Sequence, residues 1–285
     1  KTTQGRSSAA SDVYKRQILN RISISPSILN DLVMPGDRIG GIQPSICDQY
    51  GIRTIPVIVP ATHDTASAVA GIPVINEENY WAFISLGTWG IMGMQTDQPI
   101  LSERVFSSDY GNNAIPEGKN MLVKYITSLW IIQQCRNHWR NEYGNNLSWD
   151  EIVQASVQAG PSKTFIDVDN PLFGLPQADM PKVIQDDCQQ RGQLVPESMG
   201  EIARCFYESL TLKFRYNLEL LEEMSGHRLE LLHIVGGGTQ NKTLCQWIAD
   251  AKGIPVIAGP TETTSMGNLI MQLKADGEVK NLREG

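Results

Sequence analysis

The chain has 285 residues and carries 24 Lys+Arg against 31 Asp+Glu, a formal net charge of −7, which excludes a nucleic-acid binder held mainly by a basic surface. At 41% hydrophobic and 19% charged residues it has the make-up of a soluble globular protein, which excludes disorder throughout. It also lacks the run of roughly 18 apolar residues that a membrane span requires, since candidates such as Ile55–Val59 are broken by proline.

Residues 1–17 are polar and Ser-rich, with Lys1, Arg6, Lys15 and Arg16 and no apolar signal-peptide stretch, so they are expected to be an unfolded tail or a sequence artefact. From Ile18 onward helical and strand periods alternate without repeats, which predicts an α/β plan of one or two units. Residues 18–62 are rich in Pro and Gly and end in Ile55-Pro-Val-Ile-Val-Pro60, which reads as a short buried strand edged by prolines. Thr65–Ala70 reads as a small-residue helix stopped by Gly71 and Pro73, with a boundary at the polar Asn76–Asn79. Trp81–Leu86 and Ile91–Met94 flank Gly87-Thr-Trp-Gly90 and predict two strands joined by a glycine turn.

In the middle, one helix is expected around Tyr125–His138, followed by a loop-rich stretch from Gly160 to Met180 to which the sequence assigns no role. A long helix is predicted from Ser198, with Glu201 completing a capping box, to Gly226; its face of Ile202, Phe206, Leu210, Phe214, Leu218 and Leu221 is expected in the core. A strand over Leu229–Val235, the run Gly236-Gly-Gly-Thr-Gln-Asn241, a helix to Ala251, a strand over Ile254–Ala258 and a last helix over Met266–Ala275 complete the chain. Strand, glycine turn, helix and strand in that order is the grammar of a nucleotide site.

Three places could carry chemistry. Gly236-Gly-Gly-Thr-Gln-Asn is either a tight turn or a place where a ligand reaches the backbone; it is not a dinucleotide fingerprint, because Asn241 stands where G-x-G-x-x-G needs its last glycine. Gly87-Thr88 is either hairpin turn chemistry or a cradle of backbone amides and a hydroxyl for phosphate oxygens. Asp64 is either an N-cap or the ionised carboxylate that a general base for a hydroxyl must be. No second His stands at metal spacing from His63, and the five cysteines (Cys47, Cys135, Cys188, Cys205, Cys245) are scattered with no C-x-x-C pair, so no protein metal site, zinc site or disulfide framework is expected and a reducing cytoplasm fits.

Taken together and in order, His63-Asp-Thr-Ala-Ser-Ala-Val69, Ile84-Ser-Leu-Gly-Thr-Trp89, Ile234-Val-Gly-Gly-Gly-Thr-Gln-Asn241 and Ala258-Gly-Pro-Thr-Glu-Thr-Thr-Ser-Met-Gly-Asn268 resemble the FGGY carbohydrate kinases, and the rhamnulokinase group among them, over roughly residues 26–280. The resemblance implies an actin-like, ribonuclease-H-like α/β fold, with residues 18–75 the end of the first domain and residues 76–285 the second, nucleotide-binding domain. It implies ATP and Mg²⁺ as cofactors and a small sugar as substrate, L-rhamnulose first among ketoses, with no nucleic acid or membrane partner and either a monomer or a homodimer. By motif position, Asp64 would be the catalytic base, and His63, Thr65 and Tyr125 would lie beside the sugar. Thr88, Gln133, Gly237, Asn241 and Gly267 would contact the nucleotide.

Two departures qualify the resemblance. Tyr125 stands where the group commonly has a sugar-contacting Asn, and Ser128 replaces a Gly, which opens L-fuculose or another deoxyketose as substrate. The family's first phosphate loop and magnesium-organising acid would precede residue 18, so the chain by itself is expected not to turn over substrate. A non-catalytic actin-like ATP-binding module is the alternative from another class, and a Rossmann-type dehydrogenase is disfavoured by Asn241.

Overall fold

Period-two alternation along Trp81–Leu86 places Trp81 and Phe83 on one face and Ala82, Ile84 and Leu86 on the other, and both faces are buried. Such a strand must sit at the centre of a sheet covered on both sides. The computed structural model, which describes residues 17–28, 33–61, 63–74 and 80–285, has that architecture. In chain order the elements are β1 (Arg38–Gly41), α1 (Pro44–Tyr50), β2 (Pro56–Ile58), α2 (Asp64–Ala70), β3 (Trp81–Leu86), β4 (Trp89–Thr96), α3 (Glu103–Ser107), β5 (Gly111–Ala114) and β6 (Asn120–Thr127). There follow α4 (Trp130–Tyr143), α5 (Trp149–Gln158), α6 (Pro171–Gly174), α7 (Met180–Gln190), α8 (Met199–Ser225), β7 (Leu231–Val235), α9 (Lys242–Lys252), β8 (Val256–Ala258) and α10 (Thr263–Asp276).

Six strands form one sheet in the order β5-β6-β4-β3-β7-β8. β3, β7 and β8 run parallel, with Ser85 opposite Val235 and Ile234 opposite Ala258. β3, β4, β6 and β5 lie side by side with antiparallel pairing, the chain passing from β4 beyond β6 to the edge strand β5 before returning, and Leu86 faces Gly90 while Trp89 faces Thr127. One face carries the larger core, where Ile84, Leu86, Met92 and Ile126 meet α4, α8 and α9. The other face packs Phe83, Val123 and Val235 against Ala66, Val69 and Ala70 of α2 and Met271 of α10.

The long helix forms as its sequence dictates. Ser198 Oγ accepts from Glu201 N at 3.2 Å and Glu201 Oε2 accepts from Ser198 N at 2.9 Å, while Gly226 closes the far end in the left-handed region. The stripe of Ile202, Phe206, Leu210, Phe214, Leu218 and Leu221 is buried along its length. Each such side chain contributes about 1.5–3 kcal/mol on leaving water, so the stripe binds the helix to the sheet.

Three expectations need correction. Ile55–Val59 is not a buried strand: β2 pairs only with β1, and Ile55 and Val57 are 45% and 37% exposed. An apolar run reads as burial, but a two-stranded ribbon buries a face only where something packs on it. Tyr125 is not helical, because Asn120–Thr127 is β6, paired residue by residue with β4, and the helix begins at Trp130. Nor is Asp64 the N-cap of α2. His63 is, its Nδ1 accepting from Ala66 N at 3.3 Å, and Asp64 is the first helical residue. The expectations for residues 1–16 and for the boundary at residues 76–79 lie outside the described residues.

Candidate active site

The carboxyl ends of the parallel strands β3, β7 and β8 converge on one edge of the sheet, the end at which open α/β sheets take ligands. At the end of β3, Gly87 N donates to Trp89 O at 3.1 Å, which closes the hairpin with Thr88 exposed at its tip. The turn between β6 and α4 clasps this tip, with Leu129 N donating to Gly87 O at 3.3 Å and Trp130 N to Thr88 O at 3.0 Å. One helical turn on, Gln133 Nε2 donates to Thr88 Oγ1 at 3.3 Å. That bond leaves the threonine's own hydroxyl proton free for an acceptor outside the protein.

The glycine triplet lies against the root of this hairpin. A Cβ on Gly236 would stand 3.1 Å from Leu86 O, and one on Gly238 would meet the Leu86 side chain and stand 2.8 Å from its carbonyl oxygen. Gly237, between them, is exposed, and a Cβ there would meet nothing within 4 Å. The loop is stiffened from within by Thr239 Oγ1, which donates to Gly236 O at 2.7 Å. Asn241 caps α9, its Oδ1 accepting from Leu244 N at 3.0 Å, so that oxygen is already committed.

From the triplet the contacts continue to Asp64. Gly236 N donates to Pro260 O at 3.2 Å, and Thr263 Oγ1 donates to the same oxygen at 2.7 Å. α10 then crosses α2 at close range. A Cβ on Gly267 would fall directly onto Ser67 O, so this residue is buried packing between two helices. Thr264 Oγ1 makes a long hydrogen bond, 3.4 Å, to Asp64 O.

The Asp64 carboxylate is 85% exposed. Its Oδ1 accepts from Thr65 N at 2.7 Å and from the buried Thr65 hydroxyl at 3.4 Å, which leaves Oδ2 toward solvent. His63 Nδ1 lies 4.0 Å from Asp64 Oδ1, but that nitrogen already accepts the Ala66 amide. The histidine is therefore read as neutral, with its proton on Nε2, rather than as an ion pair.

The structure thus joins Thr88 and Gln133 directly, sets Gly236 and Gly238, the neighbours of Gly237, against Leu86 at the root of that hairpin, and ties Asp64 to the same edge through residues 260–264. Thr65 is buried behind Asp64. Tyr125 is 56% exposed on β6, opposite Ile91, and no contact joins it to Asp64. Sequence reasoning gave no part to Leu86 or Thr264, although both lie within the runs Ile84–Trp89 and Ala258–Asn268, because their roles are contacts with distant backbone. Among the described residues no group of three His, Cys, Asp or Glu could hold a metal ion unaided. A cavity of about 550 Å³ lies at the opposite end of β3, by Trp81 and Tyr80, and shares no residue with this edge.

Residues 82–275 match the FGGY family of carbohydrate kinases, C-terminal domain. The chain is 36% identical over 266 residues to a rhamnulokinase of Bacteroides thetaiotaomicron, covering 93% of this chain and 53% of that protein. It is 34% identical over 276 residues to one of Enterococcus faecalis, covering 96% and 54%. The chain spans about half the length of the curated relatives it matches. Among solved structures, a xylulose kinase from Lactobacillus acidophilus superposes with a TM-score of 0.68 at 14% identity over 94% of this chain and 53% of that one. Plasmodium falciparum glycerol kinase with ADP gives 0.64 at 15% identity over 90% and 49%. At such identities the likeness is one of fold, and the fold is the expected actin-like one.

Proposed function

The chain belongs to the FGGY family of carbohydrate kinases, and on that premise we propose that it carries the nucleotide-binding part and the general base of an ATP-dependent ketose kinase. We assign L-rhamnulose as the ketose, phosphorylated at its primary hydroxyl. The observation that carries the reading is the single edge on which Thr88 with Gln133, Gly237 and Asp64 are held by one continuous set of contacts. The two rhamnulokinases above support the choice of sugar.

Phosphoryl transfer asks a protein for position and for neutralised charge more than for covalent chemistry. In this reading the free hydroxyl proton of Thr88 meets a phosphate oxygen and the bare outer side of Gly237 lets the nucleotide reach the backbone. The exposed Asp64 carboxylate takes the proton of the sugar hydroxyl as that oxygen attacks the γ-phosphorus. The bond from the γ-phosphorus to the bridging oxygen breaks, and ADP leaves with the electron pair. His63, with its proton on Nε2, can donate to a neighbouring sugar hydroxyl. Magnesium carried by the nucleotide's phosphates would supply charge neutralisation there without a dedicated set of protein ligands. Tyr125, exposed on β6, favours testing sibling deoxyketoses beside L-rhamnulose.

The test is coupled ADP release by the full-length gene product with L-rhamnulose, L-fuculose, L-xylulose, glycerol or no sugar. Release should depend on one sugar and fall by about 10²–10⁴ in Asp64→Asn, the usual contribution of a positioned base. ATP binding with no sugar-dependent release would instead identify a nucleotide-binding module.

A further inference from the structure

The stretch from Gly160 to Met180, which the sequence leaves without a role, is tied down at close intervals. Ser162 N donates to Glu208 Oε2 at 3.1 Å and Ile166 N to Ser209 Oγ at 3.0 Å, both on α8. Val168 and Phe173 are fully buried. Between them Asp169 turns toward the sheet, and its Oδ1 accepts from Thr127 N at 2.9 Å. Thr127 is the last residue of β6 and lies opposite Trp89, the first residue after the hairpin tip. The three residues that follow it supply the two amides that clasp Gly87 O and Thr88 O, and α4 then delivers Gln133 to the Thr88 hydroxyl.

Asp169 is itself locked. Lys213 Nζ, on α8, lies 2.9 Å from Asp169 Oδ2 and 2.9 Å from Asp167 Oδ1. The next residue on α8, Phe214, sets its ring where a Cβ on Gly90 would stand 3.2 Å away. One turn of α8 therefore grips the hairpin at its base through Phe214 and, through Lys213 and Asp169, the strand end that clasps its tip. Burial opposes charge on both Lys213 and Asp167, yet the bonds between them outweigh it, raising the lysine and lowering the aspartate.

We propose that Asp169, oriented by Lys213, is a positioning residue for the phosphate-contacting hairpin: it fixes the β6–α4 turn and thereby the place of Thr88. The inference rests on the reading of Thr88 as a phosphate contact. A residue that sets the position of a nucleotide contact, and does not touch substrate itself, shows its loss in the affinity for the nucleotide and not in that for the sugar.

The experiment compares Asp169→Ala, Asp169→Asn and Lys213→Met with wild type in the full-length gene product, measuring the Kd for ATP by calorimetry and KM for ATP and for sugar separately. Asp169→Ala should weaken ATP binding about tenfold and raise KM for ATP in step, with KM for sugar within about twofold. Asp169→Asn keeps an oxygen for the Thr127 amide and should restore ATP affinity to within about threefold of wild type. A folded Asp169→Ala protein with unchanged ATP affinity, or one that loses ATP and sugar affinity equally, overturns the inference. If Asp169→Ala does not fold, Lys213→Met decides, and unchanged ATP affinity there is refutation. Wild-type protein that binds no ATP would bring down the kinase reading and the inference together, whereas wild type that binds with unmoved variants brings down the inference alone.

Discussion

Adjacent glycines at 237 and 238 separate structure from function within one loop. An alanine at 238 puts its methyl into the Leu86 side chain, 2.7 Å from Cδ2, and 2.8 Å from the Leu86 carbonyl oxygen, where ordinary contact is 3.4–4 Å. The side chain can rotate away, but the carbonyl belongs to the β3 ladder, so the loop must withdraw from the hairpin root by a few tenths of an ångström or more. Overpacking of this kind costs about 1–3 kcal/mol. At roughly 2–4 °C per kcal/mol for a protein of this size, the Tm should fall by about 2–12 °C. Gly237→Ala meets no atom within 4 Å, so its Tm should stay within about 1 °C of wild type or rise slightly as the unfolded chain loses freedom. Its methyl nevertheless stands where the nucleotide is placed, and ATP affinity should drop without loss of stability. Thermal unfolding with ATP titration on both variants checks this. Equal Tm losses, or a Gly238→Ala protein as stable as wild type, would refute the packing argument, and unchanged ATP affinity in Gly237→Ala would refute the placing of nucleotide there.

Other consequences can be read from the same geometry. Gly267→Ala drives a methyl onto Ser67 O at the crossing of α2 and α10, where both partners are helix backbone; its Tm should fall further than that of Gly238→Ala. Ser198→Ala removes the capping box of α8 and should lower stability by about 1 kcal/mol in urea unfolding, with no change in ATP affinity. His233 is wholly buried, edge-on to Trp81 at 5.5 Å, with no hydrogen-bond partner for either ring nitrogen among the described residues, and burial lowers its pKa. The unfolded chain then binds the proton more readily, so stability present above the unfolded value near 6.5 is lost as pH falls below it. His233→Phe should flatten the stability profile on the acid side of that value, measured by urea midpoints from pH 7.5 to 5.5; an unchanged slope would assign the loss to other groups.

What could be read in advance was whatever local chemistry decides. Ser198, Glu201 and Gly226 carry their instructions within one turn of the helix ends, and Trp81–Leu86 with Gly87 carries the hairpin in its own alternation. The misreadings fall where a distant partner decides. Tyr125 has neighbours compatible with a helix, and only pairing with Ile91 across β4 makes it a strand residue. Ile55 and Val57 look like core, yet their burial depends on what packs against β1 and β2. Asp64 is as good an N-cap by type as any residue, but His63 takes the extended backbone that a cap requires, and the helix starts one residue earlier than the aspartate reading assumes. Asp169 sits in a loop of no recognisable period, and its partner Thr127 is 42 residues away in sequence.

The link between the glycine triplet and Asp64 is also non-local, and it explains the density of small residues near the chain's end. The run Gly259–Gly267 touches both sides at once: Pro260 O takes the amide of Gly236 in the glycine triplet, while Thr264 reaches Asp64 O and Gly267 lets α10 lie against α2. The Asp64 carboxylate is exposed and its bonds go to Thr65 in its own helical turn, so the only tie from another helix is the one to its backbone oxygen among the described residues. Its distance from the glycine triplet is therefore set by how closely α2 and α10 approach, and that approach is set by glycine at 267. In-line transfer is sensitive to misplacement of about 1 Å, which can cost about 10²-fold. A glycine that sets the approach of two helices should for that reason change kcat more than either KM when it is replaced by alanine, and a conservative Ser67→Ala, which keeps the crossing intact, should leave kcat unmoved.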